Sequence, residues 1–387
     1  MANSISQQLA ALKQQGAYRH RQPLQSPQGV EVRINEKSFI SFCSNDYLGL
    51  ANEPRVCQAA TKAISQFGLG SGASQLISGY SSLHVSLEEK LADFFGYQRC
   101  LLFSSGYLAN LGVISAFSTR QSLILEDKLN HASLIDAARY AGSHLKRYRH
   151  RDVSHASQII DYSKPHSCLL VSDGVFSMEG SIAPLQQLAQ LKRKFTGKLI
   201  IDDAHGIGVL GDHGKGCLED CGLDHNDIDI LIGTFGKSFG CSGAFVLSDH
   251  DHIEFLIQKA RTLIYTTAPP AALAAAAILS LDIIQHEPER RLRLQNNIDY
   301  FRQAMIPTKL NLLDSRTAIQ TIILGENEQA LWFSQQLENK GLLVMAIRPP
   351  TVPKNSARLR ITLSSEHSHH QIDLLINALL EIETSLL

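Results

Sequence analysis

The chain has 387 residues, 44% of them hydrophobic and 19% charged, which calls for two or three folded parts and the balance of a globular protein. Its 36 Lys and Arg meet 37 Asp and Glu, for a formal net charge of −1. That bulk charge argues against nucleic acid or an anionic membrane as partner.

From the N-terminus, residues 1–16 are polar with helical spacing and have no apolar signal-peptide core. A Pro/Gly/Gln loop and two short strands, over 30–34 and 39–42, complete an N-terminal arm that ends near residue 48. From about 49 to 285, short apolar runs (100–103, 123–125, 168–171, 199–201, 228–232) alternate with helix-period segments such as 133–141 and 185–194. This alternation predicts a mainly parallel sheet with helices on both faces. The most apolar stretch, 268–284, contains Pro269-Pro270, is dominated by alanine and includes Asp282. It fits a buried helix with proline in its first turn better than a membrane span. Beyond about 286, a charged helix over 287–305 leads into strands over 319–324, 342–347 and 358–363. With helices over 328–340 and 369–382, they predict a smaller α+β unit ending at 387. His367, His369 and His370 are expected at a solvated helix start. The seven cysteines are odd in number and contain no CxxC pair, which points to a reducing compartment. With no signal peptide or membrane span, the expected location is the cytoplasm.

The strongest local signal is Gly233-Thr234-Phe235-Gly236-Lys237-Ser238-Phe239-Gly240, which follows an apolar strand. A lysine at a buried strand end readily lowers its pKa and is then prepared to form a Schiff base. Gly236-Lys237-Ser238 also carries the end of a phosphate-binding P-loop, but that motif needs glycine at 231, where Leu231 stands. The plainer alternative is a strand-end turn with Lys237 in solvent. Next, Asp202-Asp203-Ala204-His205 follows the 199–201 run, at the strand end where ligands bind in open α/β sheets. An aspartate there can hold a protonated pyridine nitrogen. A metal site on Asp202, His205, His213 and Cys217 is the looser alternative, and no metal is expected. His131, in Asn130-His131-Ala132-Ser133, can stack on a planar ring or shuttle a proton. Ser104-Ser105-Gly106-Tyr107 joins a strand to a helix whose free N–H groups suit an anion. Ser177 follows the 168–171 strand as a hydrogen-bond donor. Arg348 stands before Pro349-Pro350, where a rigidly held guanidinium suits a carboxylate.

With Ser44-Asn45-Asp46-Tyr47-Leu48-Gly49-Leu50, Gly70-Ser71-Gly72-Ala73-Ser74, Ser78-Gly79 and Tyr265-Thr266-Thr267, these motifs resemble the α-oxoamine synthases nearly end to end. The resemblance implies an α/β aspartate-aminotransferase-like fold type I and pyridoxal 5'-phosphate as cofactor. It implies that Lys237 carries the cofactor and moves a Cα proton, that Asp202 meets the pyridine nitrogen and His205 the ring hydroxyl, and that His131 stacks on the ring. Gly106 and Tyr107 would lie beside the cofactor, with Ser177 and Thr234 as hydrogen-bonding partners. Thr266 and Thr267 would reach the phosphate of a neighbouring subunit in a homodimer. Arg19, Arg348 and Thr351 would meet substrate. Residues 318–320 and 346–353 look like the members that condense L-alanine with a pimeloyl thioester, carried on coenzyme A or an acyl-carrier protein. A sister reaction such as glycine acetylation, a non-catalytic partner subunit and a metal-dependent hydrolase are the alternatives.

Overall fold

Buried apolar runs bounded by turn residues pair through their backbones, because an unpaired N–H or C=O inside a core is costly. In the computed structural model, which describes residues 4–14 and 16–385, seven strands, most of them such runs, form one sheet. They are β1 (Arg99–Phe103), β2 (Leu123–Asp127), β3 (His144–Tyr148), β4 (Cys168–Asp173), β5 (Gly197–Asp202), β6 (Ile230–Thr234) and β7 (Ala244–Ser248). The spatial order is β1-β7-β6-β5-β4-β2-β3. β2 to β6 pair in parallel, whereas β7 runs antiparallel between β6 and β1. β2 and β4 are buried along their whole length, as expected for strands covered on both faces. One core includes Ile124, Leu169 and Ile200 from the sheet and Val113, Leu134 and Leu263 from helices.

Two strands of this sheet lay outside the sequence expectation. β3 is an edge strand reading His-Leu-Lys-Arg-Tyr, largely exposed, so no apolar run marks it. β7 is fully buried but only five residues long, directly after the glycine- and serine-rich lysine turn. The 228–232 run begins its ladder two residues late. Asp229 at its start accepts from Leu199 N at 2.7 Å and so ties the strand entry to β5. The alanine-rich stretch is a helix, Ala271–His286, with Pro270 as its N-cap.

The described residues divide into two compact units. One comprises Leu48–Ser177 and Ser181–Arg291 and holds the seven-stranded sheet; the other comprises residues up to Tyr47, Met178–Gly180 and residues from Leu292 on. The second unit contains the antiparallel sheet of Asn311–Leu312, Ile319–Gly325, Ala357–Thr362 and Met345–Ile347. The N-terminal hairpin Glu31–Ile34/Lys37–Ser41 joins the same unit because Leu342–Leu343 pairs with it in parallel. The expected single strand over 342–347 is therefore two, since the chain changes sheet at Val344. His367 also departs from expectation. It is 5% exposed, stacks on Phe42 at 4.4 Å, accepts from Ser364 N and contacts Ser41 O. Burial lowers its pKa to about 4, so it is a neutral core residue.

Glu126 on β2 has no exposed surface and neither carboxylate oxygen has a hydrogen-bond partner. Burial raises its pKa to about 7, against the pull of Arg147 and Arg139. Its folded pKa stands above the unfolded one, so its contribution is complete below about pH 4.5 and is lost as the pH rises through about 7. Glu126→Gln is expected to be more stable than the parent at pH 8, by at most about 3 kcal/mol, and to lose most of that advantage at pH 5. Calorimetry at the two pH values reads this; an equal difference at both would remove the explanation.

Candidate active site

Parallel strands send their carboxyl ends to one edge of the sheet, and three neighbouring ends meet here. Asp173 closes β4, Asp202 closes β5 and Thr234 closes β6, with Asp173 opposite Asp202 in the ladder. A cleft of about 190 Å³ opens over them. Its wall includes the expected residues Gly106, Tyr107, His131, Ser177, Asp202, His205, Thr234 and Lys237. All belong to the larger unit.

The two adjacent aspartates part company. Asp202 faces the cleft, 7% exposed, and both its oxygens act as acceptors: Oδ2 from Asn110 Nδ2 at 2.6 Å and Oδ1 from Ala204 N at 3.0 Å. Asp203 is fully buried, accepts from Cys217 N at 2.6 Å, and is held up at a pKa of about 7 by burial. The backbone wraps it so closely that a Cβ on Gly216 would stand 2.1 Å from its Oδ2, and one on Gly206 2.2 Å from its Oδ1. Gly216 also has φ +78°. Gly216→Ala is thus expected to cost about 2 kcal/mol or more through overlap and left-handed backbone together. A denaturant midpoint within experimental error of the parent would sink this account.

His131 caps the helix Ala132–Ala141 and is pinned from two sides. Its N–H donates to Asp173 Oδ2 at 2.6 Å, and its Nδ1 lies 2.7 Å from Ser133 Oγ. Burial lowers its pKa, with Asp202 pulling the other way, and the ring is neutral at pH 7. Burial also raises the Asp173 carboxyl well above its ordinary range, reinforced by Asp202.

Lys237 rides a tight turn after β6. Gly240 N donates to Lys237 O at 2.8 Å, Cys241 N to Phe235 O at 2.7 Å, and Thr234 Oγ1 to Gly243 O at 3.0 Å. Gly240 closes the turn at φ +62°, where a Cβ would meet Ala51 N at 2.2 Å. Opposite, Ser105 caps the helix Gly106–Phe117 by accepting from Leu108 N, so its first turn presents backbone N–H groups at the cleft. Tyr107 stands at the rim, half exposed, with its hydroxyl donating to Asp136 at 2.7 Å.

Ser177 is carried by a turn that closes on itself. Phe176 N donates to Ser181 O, His150 packs edge-on against Phe176, and His150 bridges Asp127 Oδ1 and Ser181 Oγ at 3.0 Å each. This Asp-His-Ser chain lies outside the cleft wall and serves the turn.

The remaining expected residues are elsewhere. Thr266 and Thr267 do not line the cleft; Thr267 bridges Ser74 on the 68–80 segment. Arg19, Arg348 and Thr351 belong to the smaller unit and gather there. Arg19 donates to Thr351 Oγ1 at 3.3 Å, while burial and the Arg19 cation lower the Arg348 pKa. Two cations held this close suit an anion. No group of three or more metal-ligating side chains forms among the described residues, and His213 is engaged by Glu219.

Asn110, Ser133, Asp173 and Ala204 also line the cleft without having been assigned a role from sequence. Asn110 carried a signal: it follows Gly106 by four residues, and a helix places such a pair on one face.

The donor set fits pyridoxal phosphate: one amine, a buried acceptor-only carboxylate, two imidazoles and a helix N-terminus around one cleft. Comparison with known proteins agrees in kind. Residues 37–379 match the family described as aminotransferase class I and II. An 8-amino-7-oxononanoate synthase of Nitrosococcus oceani is 48% identical over 368 residues, spanning 95% of this chain and 98% of its own. The enzyme of the same name from Methylococcus capsulatus is 48% identical over 371 residues, 96% of each chain. Among solved structures, a serine palmitoyltransferase from S. paucimobilis with a bound PLP–myriocin aldimine superposes with TM-score 0.92 at 29% identity, covering 98% of this chain and 96% of that one. A Francisella tularensis 8-amino-7-oxononanoate synthase gives TM-score 0.79 at 31% identity, over 90% and 99%.

Proposed function

The chain belongs to the class I and II aminotransferases and, within them, to the 8-amino-7-oxononanoate synthases, and from that membership we propose how its cleft works. It is a pyridoxal-phosphate-dependent C-acyltransferase of biotin biosynthesis, joining L-alanine to a pimeloyl thioester with loss of CO2 and the free thiol carrier. The observation that carries the assignment of roles is the meeting of Lys237, Asp202, His205 and His131 in one cleft at three strand ends.

Bound pyridoxal phosphate supplies an electron sink for the carbanion at the amino-acid Cα. Lys237 would hold the cofactor and would then take and return the Cα proton at its Nζ, a dual use suited to a lysine on a constrained turn. Asp202 would accept from the ring nitrogen and hold it protonated; its two existing donors orient the carboxylate for that contact. His205 would meet the ring hydroxyl, and the neutral His131 ring would stack on the ring face. Ser177, Thr234 and the first turn of the helix at Gly106 and Tyr107 complete the cofactor's contacts. Arg19, Arg348 and Thr351 recognise substrate through an anionic group, which their mutual proximity favours. On this reading the larger unit, Leu48–Ser177 and Ser181–Arg291, is the cofactor-binding one.

The surface around the 68–80 segment supports a homodimer. Leu69, Ile77 and Tyr265 are 74%, 80% and 71% exposed, and the segment is tied to the loop at Thr267 and Ala268. A second copy would cover these side chains and receive Thr266 and Thr267 at its cofactor phosphate. Seven cysteines, none of them in a disulfide, fit a reducing, cytoplasmic setting. No helix among the described residues is long and apolar enough to cross a membrane.

The experiment is mass spectrometry of the product after incubation with pyridoxal phosphate, L-alanine and either pimeloyl-coenzyme A or pimeloyl-acyl-carrier protein. 8-Amino-7-oxononanoate from either thioester supports the proposal and identifies the carrier. Its absence from both, with product from glycine and acetyl-coenzyme A, would move the chain to the sister reaction.

A further inference from the structure

One amide nitrogen joins two groups that the proposed chemistry needs in fixed states. Asn110 is 1% exposed. Its Nδ2 stands 2.6 Å from Asp202 Oδ2 and 2.8 Å from Ser133 Oγ. A primary amide nitrogen has two protons and accepts none, so it donates to both. The reversed amide would set two acceptor oxygens 2.6 Å apart, which leaves this orientation. Asn110 Oδ1 has no hydrogen-bond partner, so the two donations alone dictate how the amide lies.

The chain continues beyond the amide. Ser133 Oγ accepts from Asn110, and its own proton has His131 Nδ1 2.7 Å away. Ser133 N–H points at the same Nδ1 from 3.3 Å. With the Ser133 hydroxyl donating at the shorter distance and the N–H aimed at the same atom, Nδ1 accepts and the neutral imidazole carries its proton on Nε2. Asp173 holds the His131 backbone, so the ring turns about a fixed base.

We propose that Asn110 is a positioning residue that holds Asp202 as an acceptor-only carboxylate and His131 as the Nε2–H imidazole through one amide nitrogen. The proposal rests on the reading that Asp202 meets the ring nitrogen and His131 the ring face. It makes the partner of the ring's edge and the partner of its face a single preset unit, in place before any cofactor binds.

The test starts on the cofactor-free protein with ¹⁵N-labelled histidine, the His131 signals being assigned by their loss in His131→Gln. Nuclear magnetic resonance is expected to show the Nε2–H tautomer in the parent and a measurable Nδ1–H population in Asn110→Leu. Titration with pyridoxal phosphate is expected to give a Kd about tenfold weaker in Asn110→Leu, the usual scale for a lost hydrogen bond to a charged group. Ser133→Ala removes only the intervening hydroxyl; it is expected to shift the same tautomer balance and keeps the test open should Asn110→Leu fail to fold. An Nδ1–H tautomer in the parent, or a parental tautomer in both variants, overturns the relay. An unchanged Kd in Asn110→Leu overturns its Asp202 arm. Loss of condensation with the tautomer intact would count against the proposed reaction and leave the relay standing.

Discussion

Lys237→Ala is expected to lose condensation activity by on the order of 10⁴-fold or more, because in the proposed mechanism one amine serves both as covalent anchor and as proton carrier. The fold should survive. The backbone bonds that close the lysine turn, from Gly240 N to Lys237 O and from Cys241 N to Phe235 O, do not involve the side chain. The variant should therefore unfold near the parental temperature and still take up cofactor, now without the borohydride-reducible link that peptide mass spectrometry would map to Lys237 in the parent. Exchange of the alanine Cα proton with deuterated solvent should stop as well, which separates loss of proton transfer from loss of acyl transfer. Turnover at the parental rate would leave Lys237 as an ordinary strand-end residue and remove the basis of the proposed mechanism.

Asp202→Asn should be the next most damaging change, with kcat/KM reduced by about 10² to 10⁴-fold. The substitution keeps the shape of a side chain that is 7% exposed but removes the negative charge that the proposed mechanism sets against the ring nitrogen. Its carbonyl oxygen can accept from Asn110 or from Ala204 N but not both, so the shape is kept while one of the two hydrogen bonds is lost. Solvent deuterium exchange at alanine Cα should fall in step with turnover, since both depend on the same electron withdrawal. A kcat/KM within about threefold of the parent, with cofactor bound, would show that some other group keeps the ring protonated. Asp203→Asn provides the contrast. Asp203 faces Cys217 N and the surrounding glycines rather than the cleft, so that change belongs to stability.

The division between those two aspartates also marks what linear order leaves open. The Asp-Asp pair after a buried strand announced a ligand-facing strand end, and period-two geometry sends neighbours to opposite sides. Which of the two faces the cleft was decided by the packing of Gly174, Gly206 and Gly216 around Asp203, of which Gly174 and Gly216 come from other loops of the chain.

By itself the sequence determined the alternating parallel architecture, the lysine turn and the strand-end acids, because those depend on local periodicity and on short motifs. It also determined the family, through motifs that run almost from end to end. Only the tertiary structure decided that β7 reverses direction inside the sheet and that β3 closes its edge. It likewise decided that the chain changes sheet at Val344 and that His367 is buried against Phe42 rather than solvated. Each of these turns on a partner far away in sequence. The same holds for Asn110, whose two acceptors come from residues 23 and 92 positions further along. Hydrogen bonds of that separation leave no periodic trace; they exist only once the sheet has brought its strand ends to one edge.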